Sequence, residues 1–211
     1  MKENLVITIG REFGSGGRQI GRMLAEELGM AFYDARLILE AAEHSGIAPE
    51  VLAGNDEQTP GLLNGLMPLS MGHTAMSFWS GSPQMGREDL YRVTAEYIRL
   101  IASKESCVIV GRSADYVLRD MQRCVNIFIH APLSVRTDRI IRRCDAESHS
   151  RAMALAEKTD RSRASFYNFY TDKTWGDSRS YDLTFDSSKL SFSAIVKIIK
   201  DYIAARYGED I

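Results

Sequence analysis

The 211-residue chain has little cysteine, no long apolar run and almost no net charge, and each shortage closes off a class of function. Its three cysteines, Cys107, Cys124 and Cys144, are odd in number and form no CxxC spacing. That argues against a disulfide scaffold or a thiol-redox centre and fits a reducing compartment. No apolar stretch approaches the ~20 residues of a spanning helix, and a strand begins at Leu5 with no apolar signal core before it. The expectation is a soluble, cytoplasmic protein with no membrane partner. Twenty-six Lys and Arg against 28 Asp and Glu leave a net charge of −2, so no global field recruits nucleic acid, and any anion site must be local. The length fits one α/β domain over residues 1–211, with no internal repeat and no signal for the oligomeric state.

What the chain does have is glycine in one place. Leu5-Val6-Ile7-Thr8-Ile9 reads as a buried strand, and Gly10, Gly14, Gly16 and Gly17 carry it into a helix. A strand, a glycine turn and a helix N-terminus together offer inward N–H groups and a partial positive charge to a phosphate. An ordinary βα turn needs fewer glycines. The backbone of Gly14, Ser15, Gly16, Gly17, Arg18 and Gln19 is therefore the candidate nucleotide-phosphate cradle. The pattern G-x-x-x-x-G-K-[ST] is incomplete, because Gly17 stands where its lysine belongs. The nearest cations are Arg18, one residue late, and Arg11 on the rising side; Ser15 is the one loop hydroxyl and the candidate Mg²⁺ ligand.

Downstream, Ile20, Met23, Leu24 and Leu28 carry helical spacing up to Gly29, and residues 30–34 read as a second strand ending in Asp34. Asp34 is a candidate substrate or metal contact, or simply the N-cap of a helix over residues 35–45. Residues 54–84, rich in Gly, Pro, Ser and Met, are the least regular stretch and read as a functional or flexible insertion. A helix over 87–103 leads into the strand 107–110, which ends in Gly111-Arg112-Ser113. An arginine directly after a buried parallel strand emerges at the carboxyl edge, where open α/β sheets bind ligands. A strand at 125–129 and a helix after Pro132 follow, then a strand at 181–185 and a closing helix over 190–207.

From Ser134 the chain is strongly basic. Arg136, Arg139 and Arg143 share a helical face, and Arg161 and Arg163 follow a polar reversal, next to Asp160. Alone they read as a solvated helical hairpin. Beside a phosphate loop, Arg139, Arg143, Arg161 and Arg163 read as an anion clamp, catalytic together with Arg18, since phosphoryl transfer needs cations around the developing charge.

The stretches ITIGREFGSGGRQIG, FYD, SCVIVGRSADYVL, the arginine helices and YTDKTWGD with YDLTFDSSKLS together resemble the cytidylate kinase-like family of P-loop proteins. The resemblance implies a three-layer α/β P-loop NTPase fold with a five-stranded parallel sheet, a helical nucleotide-binding insertion near residues 45–84 and an arginine-rich lid near 134–165. It implies ATP and Mg²⁺ and a nucleoside monophosphate or similar phosphorylated acceptor, with Arg112, Ser113, Asp115 and Asp34 on the acceptor side. Ser113 departs from the Gly-Arg-Asp of cytidylate kinases, and Asp115 lies two residues on. The alternative is a catalytically weak sensor or assembly protein that binds a nucleotide or phosphometabolite without turnover.

Overall fold

The computed structural model describes residues 4–38 and 87–208. Five strands, β1 (Val6–Arg11), β2 (Ala31–Asp34), β3 (Cys107–Val110), β4 (Cys124–His130) and β5 (Leu183–Asp186), form one sheet in the order β2-β3-β1-β4-β5, every neighbour pair parallel. The helices are α1 (Gly17–Leu28), α2 (Arg87–Lys104), the short α3 (Ala114–Val117), α4 (Leu133–Arg142), α5 (His149–Thr171) and α6 (Phe192–Tyr207). The insertion expected at 45–84 lies outside the described residues.

Alternation along the strands makes the three layers. Leu5, Ile7 and Ile9 point with Val108, Val110, Ile127 and Ile129 to one face, where α1 contributes Ile20 and Leu24 and α6 contributes Ile195, Val196 and Ile199. Val6, Cys107, Ile109 and Cys124 point to the other, against Ala95 and Ile98 of α2 and Val117 of α3. Each fully buried aliphatic side chain contributes roughly 1.5–3 kcal/mol relative to exposure, so both faces are needed to hold the sheet. Cys107 and Cys124 are core residues whose thiols burial pushes up to about 12, while Cys144 is exposed; all three are free, and neither core thiol is poised as a nucleophile.

Element ends follow local chemistry. Gly29 closes α1 in the left-handed conformation, its N–H reaching back to the carbonyls of Ala25 and Glu26. Ser148 and Ser191 cap α5 and α6 by accepting from the amides of Arg151 and Ala194. The strand expected at 181–185 begins at Leu183, because Tyr181 turns inward to pack on Phe128 with ring centroids 5.0 Å apart. A third apolar cluster, Ile140, Ala152 and Ala156 with Phe13 against it, fastens α4 to α5 and both to the glycine loop.

Candidate functional site

With every strand parallel, the loops after β1, β2 and β3 gather at one rim, and the cleft there is lined by Thr8, Arg11, Arg112, Asp115, Arg163 and Tyr167 among others. The glycine loop forms one side. Gly14 and Gly16 have φ of 80° and 90°, which L side chains rarely adopt. Gly16 is the N-cap of α1 with no side-chain cap, and the first turn carries no acidic residue. The first intrahelical bond there runs from the Ile20 amide to the Gly16 carbonyl, so the amides of Gly17, Arg18 and Gln19 have no intrahelical partner and can meet an anion, while the Ser15 amide donates to Glu12 O at 3.3 Å.

Arginines from α4 turn the loop this way. Arg136 donates to the Phe13 carbonyl at 3.0 Å and Arg139 to the Ser15 carbonyl at 2.9 Å, drawing both carbonyls outward. Arg136 also bonds Ala131 O and pairs with Asp160 at 2.6 Å and Glu12 at 3.2 Å. Asp160 in turn accepts from the Phe13 amide at 2.7 Å. Arg139 is held further by the Ser187 hydroxyl and carbonyl and lies over the Phe192 ring, whose edge fills the space a Cβ at Gly16 would take. Arg143 pairs with Asp145 at 2.7 Å and sits over Phe13.

The other side of the cleft is strained and electropositive. Gly111, Arg112 and Ser113 have φ of 90°, 57° and 51°, three left-handed residues in a row, two of them not glycine. Such backbone costs on the order of 1–3 kcal/mol per residue and clusters where function over-determines the chain. It delivers Arg112 into the cleft with Nε and Nη2 buried and without a hydrogen-bond partner among the described residues. Burial lowers the Arg112 guanidinium to about 10, and burial with the repulsion of neighbouring arginines does the same for Arg163, against the pull of Asp160. Arg163 donates to the Arg11 carbonyl at 3.0 Å. Burial, then Arg163 and Arg112, hold Arg11 well below its usual value. Asp115 accepts from the Tyr167 hydroxyl at 2.7 Å, and burial raises its carboxyl. Ser113 is buried on the cleft wall.

Other residues singled out from sequence lie elsewhere. Arg18 pairs with Asp34 at 2.6 Å and its side chain is 60% exposed. Asp34 accepts from the amides of Arg36 and Leu37, as the N-cap of the helical turn at 35–38. Gln19 is exposed on α1. Arg161 faces solvent beside Glu157, 3.9 Å away, because its position on α5 is turned away from Asp160 and Arg163. The Ser15 hydroxyl is buried and donates to Glu12 O at 2.9 Å. Sequence reasoning named Arg11 as a cation near the loop but ranked Arg18 ahead of it, placed Arg136 on the arginine face without a site role, and singled out no role for Tyr167. Arg11 had the same signal as Arg112, an arginine at the end of a buried parallel strand.

The chain matches the model of the cytidylate kinase-like family over residues 6–189. A cytidylate kinase of Pyrococcus horikoshii is 25% identical over 201 residues, 94% of this chain and 88% of that protein. One of Methanosarcina barkeri is 29% identical over 111 residues, 53% of this chain and 62% of that protein. Among solved structures, an uncharacterized protein from Eubacterium ventriosum superposes with a TM-score of 0.71 at 27% identity, covering 95% of this chain and 98% of that one. A gluconokinase from Sinorhizobium meliloti (TM-score 0.54, 18% identity, 100% and 97% covered) and a shikimate kinase from Acinetobacter baumannii (0.53, 14%, 97% and 96% covered) share the P-loop kinase fold. No described helix is long and apolar enough to cross a membrane.

Proposed function

Since the chain belongs to the cytidylate kinase-like family, we propose that it transfers the γ-phosphoryl group of ATP to a small phosphorylated acceptor, a nucleoside monophosphate or a close analogue. The observation that carries this reading is Arg112: a buried guanidinium with unpaired nitrogens, held in the cleft by strained backbone beside the glycine loop. A buried, unpaired cation is costly, and a dianionic acceptor phosphate supplies the missing partner through charge-assisted hydrogen bonds. Phe166, Trp175 and Tyr181 on the same cleft wall suit a flat base, with Asp115, Thr159 and Ser162 as polar contacts for its edge or ribose.

On the donor side, the uncapped start of α1 fits the phosphates of ATP, which would supply the phosphoryl group and a leaving diphosphate. The fit to Mg²⁺ is different. Among the described residues no three His, Cys, Asp or Glu side chains converge on a cation position, and the Ser15 hydroxyl donates to Glu12 O. Mg²⁺ takes few protein ligands beside water and substrate phosphates, so it would be held here mainly by the phosphates of ATP, whose charge it would help neutralise. The helices at 133–171 would act as the lid, α4 bracing the loop and α5 bringing Arg163 to the cleft.

The test is transfer of labelled γ-phosphate from ATP to a panel of nucleoside monophosphates and sugar phosphates. Turnover with one acceptor, lost in Arg112→Met, is the expected result. The reading fails if no acceptor on the panel is phosphorylated although ATP binds; the chain is then a nucleotide-binding protein without turnover, as its lysine-free loop and the engagement of Arg18 by Asp34 would allow.

A further inference from the structure

The glycine loop lacks its lysine, and the reason is written in what lies next to Gly17. A Cβ built on Gly17 would sit 2.6 Å from Cβ and 3.1 Å from Cγ of Arg11. No real side chain fits there, so a lysine at 17 excludes any residue with a Cβ at 11, the present arginine included. The far end of the same side chain makes a second demand. A Cβ on Gly111 would fall 2.0 Å from Arg11 Nη1 and 2.8 Å from Cζ. Two glycines on two different loops thus leave a channel for one arginine, whose stem lies against the first turn of α1 and whose guanidinium lies over the end of β3.

The competing cations near the loop are occupied. Arg18 is bound to Asp34, Arg136 to Glu12 and Asp160, and Arg139 to Ser15 and Ser187. Among the described residues, no carboxylate is in ion-pair contact with Arg11; Asp34 and Asp160 act on it beyond ion-pair range, against the positive charges of Arg163 and Arg112. An arginine crowded by two others is stable where an anion is the intended fourth party.

We propose that Arg11 does the work of the absent lysine, spanning from the donor loop to the acceptor cleft and holding the phosphoryl group as it passes between them. In that transfer an oxygen of the acceptor phosphate attacks the γ-phosphorus while the bond to the β,γ-bridging oxygen breaks. The electron pair leaves with ADP, and Arg11 keeps its protons throughout, acting by charge and hydrogen bonding alone. Gly17 leaves room for the stem of the side chain at 11, and Gly111, left-handed at φ 90°, leaves room for its guanidinium.

This inference rests on the phosphoryl-transfer reading, and a swap experiment separates the two. Arg11→Met keeps the stem and removes the charge; Arg11→Gly/Gly17→Lys removes the Cβ that obstructs position 17 and restores a lysine at the usual place. Binding of ATP by calorimetry, thermal unfolding, and turnover with whichever acceptor reacts are measured for each. Arg11→Met should lose about tenfold or more in ATP affinity and more than that in turnover, with a melting temperature no lower than wild type. Arg11→Gly/Gly17→Lys should regain affinity and turnover over Arg11→Gly, whereas Gly17→Lys alone should unfold at lower temperature because its Cβ meets Arg11 Cβ. Wild-type ATP affinity and turnover in Arg11→Met would overturn the proposal, as would an Arg11→Gly/Gly17→Lys protein that melts like wild type but is no better than Arg11→Gly. If wild type transfers phosphate to no acceptor and yet Arg11→Met loses ATP affinity, the function reading fails and the assignment of Arg11 to the phosphates stands.

Discussion

Two sets of arginines face the glycine loop, and they differ in whether the protein has already given them partners. On the α4 side, Arg136 and Arg139 spend their donors on Phe13 O, Ala131 O, Ser15 O, Ser187, Glu12 and Asp160. On the β1–β3 side, Arg112 has buried nitrogens with no partner among the described residues, and Arg11 has its carbonyl bonded by Arg163 but, among the described residues, no bond to its guanidinium. The first set is finished within the fold and shapes the loop. The second is unfinished, and in the proposed function the ligand completes it. Residue type alone therefore does not tell a strut from a binding group; the accounting of donors does.

The comparison is broken most forcefully at Arg136, whose side chain is 9% exposed. Arg136→Ala should lose about 3–5 kcal/mol of stability, because it leaves Asp160 and Glu12 short of their buried cation. Chemical denaturation measures this; a loss below ~1 kcal/mol would mean the pair is no strut.

Next in size is Arg163, which belongs to both sets, braced near Asp160 at 3.9 Å and aimed at the cleft. Arg163→Ala should lower turnover on the order of 10²-fold while ATP affinity changes by less than about tenfold, the mark of an interaction made mainly in the transition state. Steady-state kinetics beside equilibrium titration reads the split. Equal losses in both would place Arg163 with the ground-state contacts.

How much of this the sequence disclosed depends on the kind of information involved. Strand periodicity and glycine punctuation made the layers legible, since inward Leu5, Ile7 and Ile9 and a terminal Gly29 are local signals. Arg112 was legible from its place after a buried strand. The partners of the α4 arginines were not: spacing says that residues 136, 139 and 143 share a face, and only the docking of that face on Phe13 and Ser15 says they are braces. Arg161 and Arg163, two residues apart, point to different sides of α5, so one lies in solvent and the other at the cleft. Asp34 was readable as a cap or a ligand; its bonds to the amides of Arg36 and Leu37 make it a cap that also holds Arg18.

A smaller, pH-dependent effect is expected at Asp115. Burial holds its carboxyl above the usual range, against the hydrogen bond from Tyr167, which pulls the other way. A raised carboxyl stabilises the fold while protonated; that contribution is complete below the unfolded-chain value and is lost as pH rises through the folded value. Wild type should therefore gain stability relative to Asp115→Asn as the pH is lowered through that raised value. Parallel melting curves of the two proteins across pH would show no such effect and refute the assignment.

The smallest effect belongs to Arg161, 75% exposed beside Glu157. Arg161→Ala should stay within about 0.5 kcal/mol of wild type in stability and leave turnover essentially unchanged. A large kinetic loss here would mean that α5 rotates or closes before reaction.

The claim that unpartnered arginines form the anion site is tested most directly by Arg112→Met, followed by thermal unfolding and by calorimetric titration with the nucleoside monophosphate that wild type binds best. Removing a buried, unpaired charge should leave the melting temperature equal to or above wild type while affinity for the monophosphate falls about tenfold or more. A protein that melts lower and still binds the monophosphate with wild-type affinity would show that Arg112 is one more strut and that the acceptor lies elsewhere.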